Sequence, residues 1–512
     1  MDAFINAVNS INESTAVLAE LVLATSNAVW SWLFYLLVAV GLIITVLTRG
    51  VQFRLIKEMF RAIVEPSGQE ADGRKGISSF RAFTVSAASR VGTGNIAGVS
   101  LAISMGGPGA VFWMWFIAGL GAASAFAESL LGQLYKQKGK DSYIGGPAYY
   151  MQRGLNARWL GLIFVVFIVV TYAFVFVAVQ TNSIVDATTN SLGISISAGE
   201  GMGTRILIGL VVMLLTGLII FGGIRVISSV TELMVPVMAL IYLFLGVLVV
   251  ALNLDQIPHM FAMIVKGAFG IEEFVSGGMG AALSWGMRRG LLSNEAGIGT
   301  APNAGATATI SHPAKQGFVQ ALGVYFDTWL VCSITAFIVL LSNPSFGEEA
   351  QGASLTQSAL SQQLGGWSIH FLTVAIALFA FSSIVGNYYY GESNVRFVSE
   401  NKLTMFIFRC TVLAFVFLGA IASLDLVWNL ADLLNAGMVV VNLFAVSLLM
   451  PQVLKLLRNY EVQRKAGLEP IFKASDMPEI KNLAAWDGSD QVCSRQFWEE
   501  QAASAKASKA KD

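Results

Sequence analysis

Charged residues are scarce in this chain: of its 512 residues only 12% are charged, whereas 55% are hydrophobic. A typical soluble domain carries about 25% charged residues, so the composition argues against a water-soluble fold. Histidine and cysteine are also rare, with three of each. Their wide spacing predicts neither a zinc or catalytic cluster nor a disulfide framework. The formal net charge of zero gives no electrostatic reason to expect nucleic acid as a partner.

Several enzyme and targeting signals are missing from the sequence. No lysine or arginine precedes Arg49, so we do not expect the basic n-region of a cleaved secretory signal. There is no P-loop, no H-E-x-x-H zinc motif and no G-x-S-x-G nucleophile elbow. Residues 92–97 match G-x-G-x-x-A, but they lie inside an apolar segment and not after a β-strand, so a nucleotide site is rejected. The sequence therefore does not predict an enzyme.

Long apolar runs are abundant instead. A run of about 18 or more apolar residues can cross the hydrocarbon core of a bilayer as a helix. The runs are too long and too uniformly apolar for the strands of a membrane barrel. We predict an all-α membrane protein with about eleven transmembrane helices, at residues 29–48, 80–103, 109–135, 159–182, 206–224, 232–252, 275–298, 317–341, 369–390, 404–424 and 430–450.

The basic residues alternate between connections. They crowd the connections after the first, third, fifth, ninth and eleventh spans, whereas the intervening connections contain few of them. Because cytoplasmic loops carry the excess of lysine and arginine, this pattern predicts the N-terminus outside and the C-terminus in the cytoplasm. The tail from about Asn459 is polar, and we expect it to be a partly disordered cytoplasmic extension.

Glycines interrupt two of the predicted spans. Gly92, Gly94 and Gly98 surround Thr93 and Asn95 in the second span, and a second group occupies residues 276–280 in the seventh. Each glycine weakens a helix by roughly 1 kcal/mol relative to alanine. Unwound backbone at this depth is tolerated where it is buried in protein or lines a cavity, although small residues also serve close helix packing. Paired interruptions in corresponding places indicate the substrate site of a carrier rather than a channel filter.

The placement of the two interrupted spans predicts an internal repeat. Each one opens a set of five spans, and because five is an odd number, the second set must run with opposite polarity. We therefore divide the chain into an N-terminal segment with the first helix (1–79), a first five-helix repeat (80–252), a second, inverted five-helix repeat (253–454) and a cytoplasmic tail (455–512).

Four sequence blocks resemble the alanine or glycine:cation symporter family, also known as sodium:alanine symporters or amino acid carrier proteins. The blocks are VGTGNIAG (91–98), GGPGAVFWMW (106–115), RGLLSNEAGIG (289–299) and FAFSSIVGNYYYGE (379–392). The resemblance extends from about residue 30 to 460. It implies the leucine-transporter-type fold, in which two inverted five-helix repeats are here preceded by one N-terminal helix.

The resemblance also implies roles for particular residues. The substrate amino acid would be bound at the two helix breaks and by a polar residue of the fourth span, namely by Thr93, Gly94, Gln180, Gly277, Gly278 and Met279. A sodium ion would be bound by the carbonyls of Ala88 and Val91 and by the hydroxyls of Ser382 and Ser383. Oxygen ligands are those that hard cations prefer.

These expectations converge on a secondary active transporter in the lipid bilayer of the bacterial inner membrane. We expect sodium-coupled symport of a small neutral amino acid, such as alanine, glycine or serine, into the cell by alternating access. The alternative is a proton-coupled or uncoupled carrier of a larger polar amino acid such as glutamine, because Asn387 stands where the family usually has tryptophan and Arg90 where it has an uncharged residue. Arg90 is expected either to pair with Glu128 or to extend toward the cytoplasmic water.

Overall fold

The chain folds almost entirely into α-helices. The computed structural model describes the backbone of residues 2–194, 201–342, 344–346, 352–421 and 424–509. In the first half, the helices are α1 (Asp2–Leu47), α2 (Val51–Arg54), α3 (Ile56–Ile63), α4 (Ser79–Arg90), α5 (Ala97–Gly106), α6 (Gly109–Leu134), α7 (Pro147–Gly154), α8 (Arg158–Ile168), α9 (Val177–Leu192), α10 (Met202–Ile220), α11 (Gly223–Leu252) and α12 (Ile257–Ala268).

The second half continues the same architecture. Its helices are α13 (Gly278–Asn294), α14 (Ala301–Gly305), α15 (Ala314–Val324), α16 (Ser333–Leu340), α17 (Gly352–Leu364), α18 (Trp367–Val398), α19 (Lys402–Ile421), α20 (Leu424–Leu448), α21 (Met450–Lys465) and α22 (Arg495–Lys509). Short 3₁₀ turns occupy Thr93–Asn95, Ala474–Asp476 and Gln491–Cys493. The prediction of an all-α protein omits one small hairpin after α6, in which β1 (Gln137–Lys138) pairs antiparallel with β2 (Tyr143–Ile144).

Most of the predicted spans are long, uninterrupted helices. In the described part of the chain, nine helices are long and apolar enough to cross a membrane: Glu20–Leu47, Gly109–Leu134, Arg158–Ser191, Met202–Ile220, Gly223–Leu252, Ala314–Leu340, Trp367–Val398, Lys402–Ile421 and Leu430–Leu448. The other two predicted spans, 80–103 and 275–298, fall on interrupted elements. The first consists of α4 and α5, and the second of α13 followed by the short α14.

Two of the long helices contain a π-helical stretch. Val169–Phe176 joins α8 to α9, and Tyr325–Cys332 joins α15 to α16. Such stretches are rare and often mark functional positions, because they turn the side chains of one face away from regular helical spacing.

The helices pack around α6, which lies against both α13 and α15, while α18 lies against α4, α9 and α11. Gly386 brings α18 especially close to α4, since a Cβ atom at this position would lie 2.7 Å from the backbone nitrogen of Ser89. Only glycine permits this approach, which aligns α18 with the first helix break. The outer faces of α10 and α11 expose large apolar side chains, for example Leu218 (71%) and Leu233 (70%), as expected of a lipid-facing surface.

The C-terminal tail differs from its prediction. Instead of being partly disordered, residues 466–498 fold back on the helical bundle, and several of their apolar side chains are buried: Ile471, Phe472, Ile480, Ala485, Trp486, Val492, Cys493 and Phe497. The tail looks polar because its charged residues outnumber these widely spaced apolar ones. The apolar residues are nevertheless sufficient to fix the segment, because the bundle offers a partner surface.

Candidate functional site: a cavity between two interrupted helices

The first helix break lies where the glycines predict it. α4 ends at Arg90, α5 begins at Ala97, and the intervening chain forms a 3₁₀ turn over Thr93–Asn95. Gly92 is extended (φ −133°), and its N–H donates to Asn95 Oδ1 at 2.9 Å. A Cβ atom at residue 92 would lie 2.4 Å from Ser383 Oγ, so the side chain of α18 can approach the unwound backbone only because residue 92 is glycine.

The second break does not lie at residues 276–280. α13 runs without interruption from Gly278 to Asn294, and the unwound stretch is residues 295–300, before α14 begins at Ala301. Glu295, Gly297 and Gly299 there adopt positive φ angles of 56°, 82° and 91°. Positive φ is uncommon for a residue other than glycine, and a glutamate held there indicates a conformation that its surroundings impose.

The glycines at 276–280 mark the beginning of a helix rather than a break. Gly277 (φ 93°) precedes the first turn of α13, and Met279 is 43% exposed. Gly277, Gly278 and Met279 therefore lie at the opposite end of α13 from the unwound stretch, and they do not line the cavity described below. A cluster of glycines is compatible with either a break or a helix start, and sequence alone did not separate the two.

A cavity lies where the two breaks meet. It is lined by one set of residues from α4, α5 and the turn between them, by residues from α8–α9 and α18, and by the end of α13: Ser89, Arg90, Gly92, Gly94, Gly98, Tyr172, Phe176, Gln180, Arg289, Leu292, Ser293, Glu295 and Asn387. Two of these, Tyr172 and Phe176, belong to the first π-helical stretch.

Three of the residues predicted to bind substrate come together beside this cavity, and Gln180 lines it. The Thr93 hydroxyl and backbone N–H donate to Gln180 Oε1 at 3.0 and 3.3 Å, and Gly94 also lines the cavity. Gln180 is 4% exposed, and its Nε2 donates to no described residue. The amide nitrogen of Gln180 and the N-terminus of α5 can therefore both offer N–H groups to an anionic group in the cavity.

Three oxygen atoms meet on the other side of the first break. Ser383 Oγ donates to the carbonyl oxygen of Ala88 at 2.8 Å and lies 3.5 Å from that of Val91. These are three of the four residues predicted as sodium ligands. The fourth, Ser382, points elsewhere: its hydroxyl donates to the Phe379 carbonyl of its own helix at 2.9 Å and contacts Met238 Sδ at 3.4 Å.

A polar group of side chains forms one wall of the cavity. Ser89 Oγ lies 3.0 Å from Glu295 Oε1 and 2.5 Å from Asn387 Oδ1. The other carboxylate oxygen of Glu295 accepts from the Thr300 hydroxyl at 2.7 Å and from Tyr390 at 3.5 Å. Glu295 is thus held by residues of both broken elements and of α18. The sequence block 289–299 contained this residue, but no spacing rule assigned it a role.

Glu128 stabilises the second break from outside the cavity. Its Oε1 accepts from the backbone N–H of Gly297 at 3.3 Å, and its Oε2 accepts from Asn442 Nδ2 at 2.7 Å. Asn442 also donates to the Gly297 carbonyl at 2.9 Å. A carboxylate on α6 and an amide on α20 therefore replace the helical hydrogen bonds that the break removes.

Arg90 does not form the predicted ion pair with Glu128. Its Nη1 donates to the Gln320 carbonyl on α15 at 3.1 Å, and among described residues no carboxylate oxygen lies within 4 Å of its guanidinium. A Cβ atom at Gly323 would lie 2.3 Å from Nη1, so the guanidinium fits against α15 in a space that glycine provides. Asp327 is fixed by hydrogen bonds from Asn95 Nδ2 (2.6 Å), Ser293 Oγ (2.7 Å) and Thr328 (3.0 Å).

A second group of buried charges lies next to the cavity. Asp432 on α20 accepts from Arg288 at 2.6 Å and lies 3.4 Å from Arg289, and all three side chains are at most 9% exposed. Arg289 also lines the cavity. The sequence analysis treated these arginines only as indicators of orientation, because the partner carboxylate is more than 140 residues away along the chain.

Interrupted helices that enclose a polar cavity within a bundle of apolar spans define a membrane transporter. The solved structure of MhsT in complex with L-phenylalanine is similar to this chain, with a TM-score of 0.53 at 14% identity, covering 84% of this chain and 95% of that one. This likeness identifies the leucine-transporter-type fold.

The chain belongs to the sodium:alanine symporter family, whose sequence model matches residues 15–474. It is 47% identical to the amino-acid carrier protein AlsT of Bacillus subtilis (strain 168), over 91% of this chain and 97% of that protein. It is 43% identical to the Probable sodium/glutamine symporter GlnT of the same organism, over 93% and 97% of the two chains. The sodium/proton-dependent alanine carrier protein of Bacillus sp. (strain PS3) is 35% identical, over 84% and 97%. The protein is thus a multi-span amino acid:cation symporter of this family and not an enzyme.

Proposed function

We propose that this protein carries a small neutral amino acid into the cell together with a sodium ion, by alternating access to the cavity between the two breaks. The observation that carries the proposal is the meeting of Ser383 Oγ with the carbonyls of Ala88 and Val91 directly beside that cavity. An ion there would be adjacent to the amino acid, which is the arrangement that coupling requires.

The cavity supplies complementary partners for the two ends of an amino acid. Its carboxylate would lie near Gln180 Nε2, Gly94 and the N-terminus of α5, where N–H donors and the positive end of the helix dipole favour an anion. Its ammonium group would lie near the C-terminal end of α13 at Ser293 and near the Glu295 carboxylate. This assignment replaces Gly277, Gly278 and Met279 as the second half of the substrate site.

The sodium ion would be coordinated by the carbonyl oxygens of Ala88 and Val91 and by Ser383 Oγ. When its hydroxyl proton turns away from these carbonyls, Ser383 presents a lone pair at the same point. Sodium is a hard cation that takes oxygen ligands. Ser382 is left out of this proposal because its hydroxyl is engaged with its own helix and with α11.

A second candidate has a specific observation in its favour. The cavity wall formed by Ser89, Asn387 and Glu295 is polar, so a larger polar amino acid such as glutamine fits its chemistry. The relative GlnT bears the words sodium/glutamine symporter in its name. Such a carrier would be either coupled to protons or uncoupled. If it is coupled to protons, the buried Glu295 rather than Ser383 would respond to the coupling ion.

The location is also a proposal. We infer the bacterial inner membrane from the family and its bacterial relatives. We infer the N-terminus outside and the C-terminus in the cytoplasm from the excess of lysine and arginine in alternate connections.

The deciding experiment is uptake into proteoliposomes that contain the purified protein. Each of the common amino acids is offered with an inward sodium gradient, with a proton gradient, and with neither. We expect alanine, glycine or serine to accumulate only with the sodium gradient. Uptake of glutamine alone would favour the second candidate, and uptake that ignores sodium would refute sodium coupling.

A further inference from the structure

The folded C-terminal segment, residues 466–498, forms contacts that the transport site does not explain. We call it the C-terminal strap. It crosses three segments on one face of the bundle. Residues 65–77 lead into α4, residues 133–145 comprise the end of α6 and the hairpin after it, and residues 308–315 comprise the connection after α14 and the start of α15. Two of these connections begin or end at the broken helices that enclose the cavity.

The first set of contacts joins the strap to the chain that enters α4. The Gln491 backbone N–H donates to the Gln69 carbonyl at 3.0 Å, and the Gln69 N–H donates to Gln491 Oε1 at 2.9 Å. The Ala71 N–H donates to Asp490 Oδ1 at 3.1 Å. The neighbouring Val492 is fully buried. The strap is therefore bonded to the backbone of this connection and not merely to its side chains.

The second set joins the strap to the connection after α14. The Phe472 N–H donates to the Ser311 carbonyl at 2.8 Å, and Ser311 Oγ donates to the Pro470 carbonyl at 2.7 Å. Beside them, the Glu469 carboxylate contacts both Arg61 and the fully buried Lys315. Lys315 also pairs with Glu65 at 2.6 Å.

The third set joins the strap to the end of α6. Trp486 Nε1 donates to the Gln133 carbonyl at 3.2 Å, and the Lys136 ammonium lies 4.6 Å from the Trp486 ring. The Tyr143 hydroxyl donates to Asp490 Oδ2 at 2.7 Å. Trp486 has a φ of 76°, which is a rare conformation for a bulky residue. Such a conformation persists only where the surroundings determine it strongly.

The connections that the strap crosses are also bonded to each other. The Thr309 N–H donates to the Ile77 carbonyl at 2.9 Å, and Thr309 Oγ1 donates to Glu70 at 3.0 Å. Ile77 lies two residues before the start of α4. Any outward swing of α4 would therefore break its link to residues 308–309 and would also pull on the strap at residues 69–71.

We propose that the C-terminal strap is an intramolecular latch that holds closed the face of the carrier on which the C-terminus lies. It must detach from residues 69–71 and from Ser311 before α4 can move away and open the cavity to that side. The latch rests on the proposed function, since opening of alternate faces belongs to a carrier. α4 is the first half of a broken helix, and it reaches the cavity at Ser89 and Arg90.

The chain contains its own reporter for strap release. Cys493 lies in the strap, is 3% exposed, and has a pKa raised to about 11, chiefly by burial. Detachment of the strap is measured as the rate at which a membrane-impermeant maleimide alkylates Cys493 in sealed vesicles. The exposed Cys410 is first replaced by alanine so that it does not react, whereas Cys332 is buried in the core. A second preparation with Ser89→Cys and Cys493→Ala reports opening of the cavity from the same side.

Three substitutions weaken separate strap contacts without touching the cavity: Glu469→Gln, Tyr143→Phe and Ser311→Ala. The matched control is Glu479→Gln, which also removes a carboxylate from the strap. The side chains of Glu479 and of its partner Lys455 are each half exposed, so their ion pair should contribute little. In each strap variant we expect the maleimide to alkylate Cys493 about three-fold faster, because one hydrogen bond that holds the strap is lost. The cysteine of Ser89→Cys should become more reactive by a similar factor. The control should change neither rate.

Two outcomes would overturn the latch. If the strap variants accelerate Cys493 alkylation but leave the Ser89→Cys position as protected as before, the strap detaches without governing the cavity. If the combined triple variant leaves Cys493 protected, these contacts do not hold the strap. Neither measurement needs a transported substrate. A protein that takes up no amino acid but shows both accelerations would therefore refute the proposed substrate and ion coupling, while alternate opening of the cavity and the latch would stand.

Discussion

Ser383 on α18 donates a hydrogen bond to the carbonyl of Ala88, 2.8 Å away at the end of α4. The two residues are 295 positions apart in the chain, and the approach depends on glycine at position 92, where a Cβ atom would lie 2.4 Å from the hydroxyl. A carbonyl released from its helix and a hydroxyl from a neighbouring helix thus meet beside the cavity, and this relationship underlies the first two predictions.

Replacing Ser383 with alanine should raise the sodium concentration needed for half-maximal uptake by about ten-fold, because the change removes one oxygen ligand of a hard cation. A ten-fold loss of affinity corresponds to roughly 1.4 kcal/mol of binding free energy. The maximal rate should change less. Ser382→Ala is the matched control, since the neighbouring hydroxyl bonds to its own helix. The measurement is uptake against sodium concentration for both variants; equal shifts in the two would remove Ser383 from the ion site.

Replacing Gly92 with alanine should abolish uptake while leaving the amount of folded protein in the membrane nearly unchanged. The added methyl group would force Ser383 and Gln180 away from the first break. Gly280→Ala is the control, because a Cβ at that position would meet no atom within 4 Å apart from its chain neighbours and the backbone of its own helix. Normal uptake by Gly280→Ala together with none by Gly92→Ala would support the position of the cavity, whereas the reverse result would return the site to residues 276–280.

Replacing Glu128 with alanine should destabilise the protein by about 2–4 kcal/mol, because the Gly297 N–H and the Asn442 amide would each lose a buried acceptor. Glu128→Gln keeps one acceptor oxygen and should cost less. Thermal unfolding of the detergent-purified protein gives the comparison. If alanine and glutamine were equally mild, Glu128 would not be stabilising the second break.

Replacing Asp432 with asparagine should cost about 3–5 kcal/mol, because two nearly buried arginines, Arg288 and Arg289, would lose their counter-ion. The exposed pair of Lys266 and Glu272 offers a control, and Glu272→Gln there should cost less than about 1 kcal/mol. Denaturation midpoints of the two variants test the contrast. Similar small losses in both would show that Asp432 does not balance the arginines.

Acidification should destabilise the protein through His312, which lies between α14 and α15. Burial lowers the pKa of His312 to about 3, from an ordinary value of 6.5. Its Nδ1 accepts from the Ala314 N–H at 3.1 Å, which requires the unprotonated ring. Between pH 6.5 and 3 the unfolded chain binds more protons than the folded chain at this residue, so stability falls as the pH falls, by about 1.4 kcal/mol per pH unit at most.

The variant His312→Asn keeps an acceptor for the Ala314 N–H but does not titrate in this range. The slope of the melting temperature between pH 6.5 and 5 should therefore be steeper for the natural protein than for this variant. Parallel slopes would assign the acid sensitivity to other groups.

The sequence by itself determined the class of the protein, the positions of its apolar spans and the first helix break. These follow from local properties: a long apolar run can satisfy its backbone in lipid only as a helix, and the glycines at 92, 94 and 98 weaken a helix wherever they lie. The repeat boundaries at residues 80–252 and 253–454 remain predictions of the same kind.

Only the tertiary structure decided where the second break lies, which serine faces the carbonyls of the first break and where the tail packs. Residues 276–280 and 295–300 both have sequences that are compatible with unwound backbone. Ser382 and Ser383 are adjacent, and the rotation of α18 about its axis decides which of them faces the first break. Gly386 fixes that rotation through its contact with Ser89, some 300 residues away. The sequence of the tail is polar overall because its buried apolar residues are few and widely spaced. The surface that buries them is formed by three connections that are distant in the chain. Contacts of this range depend on the folded geometry and not on local sequence patterns.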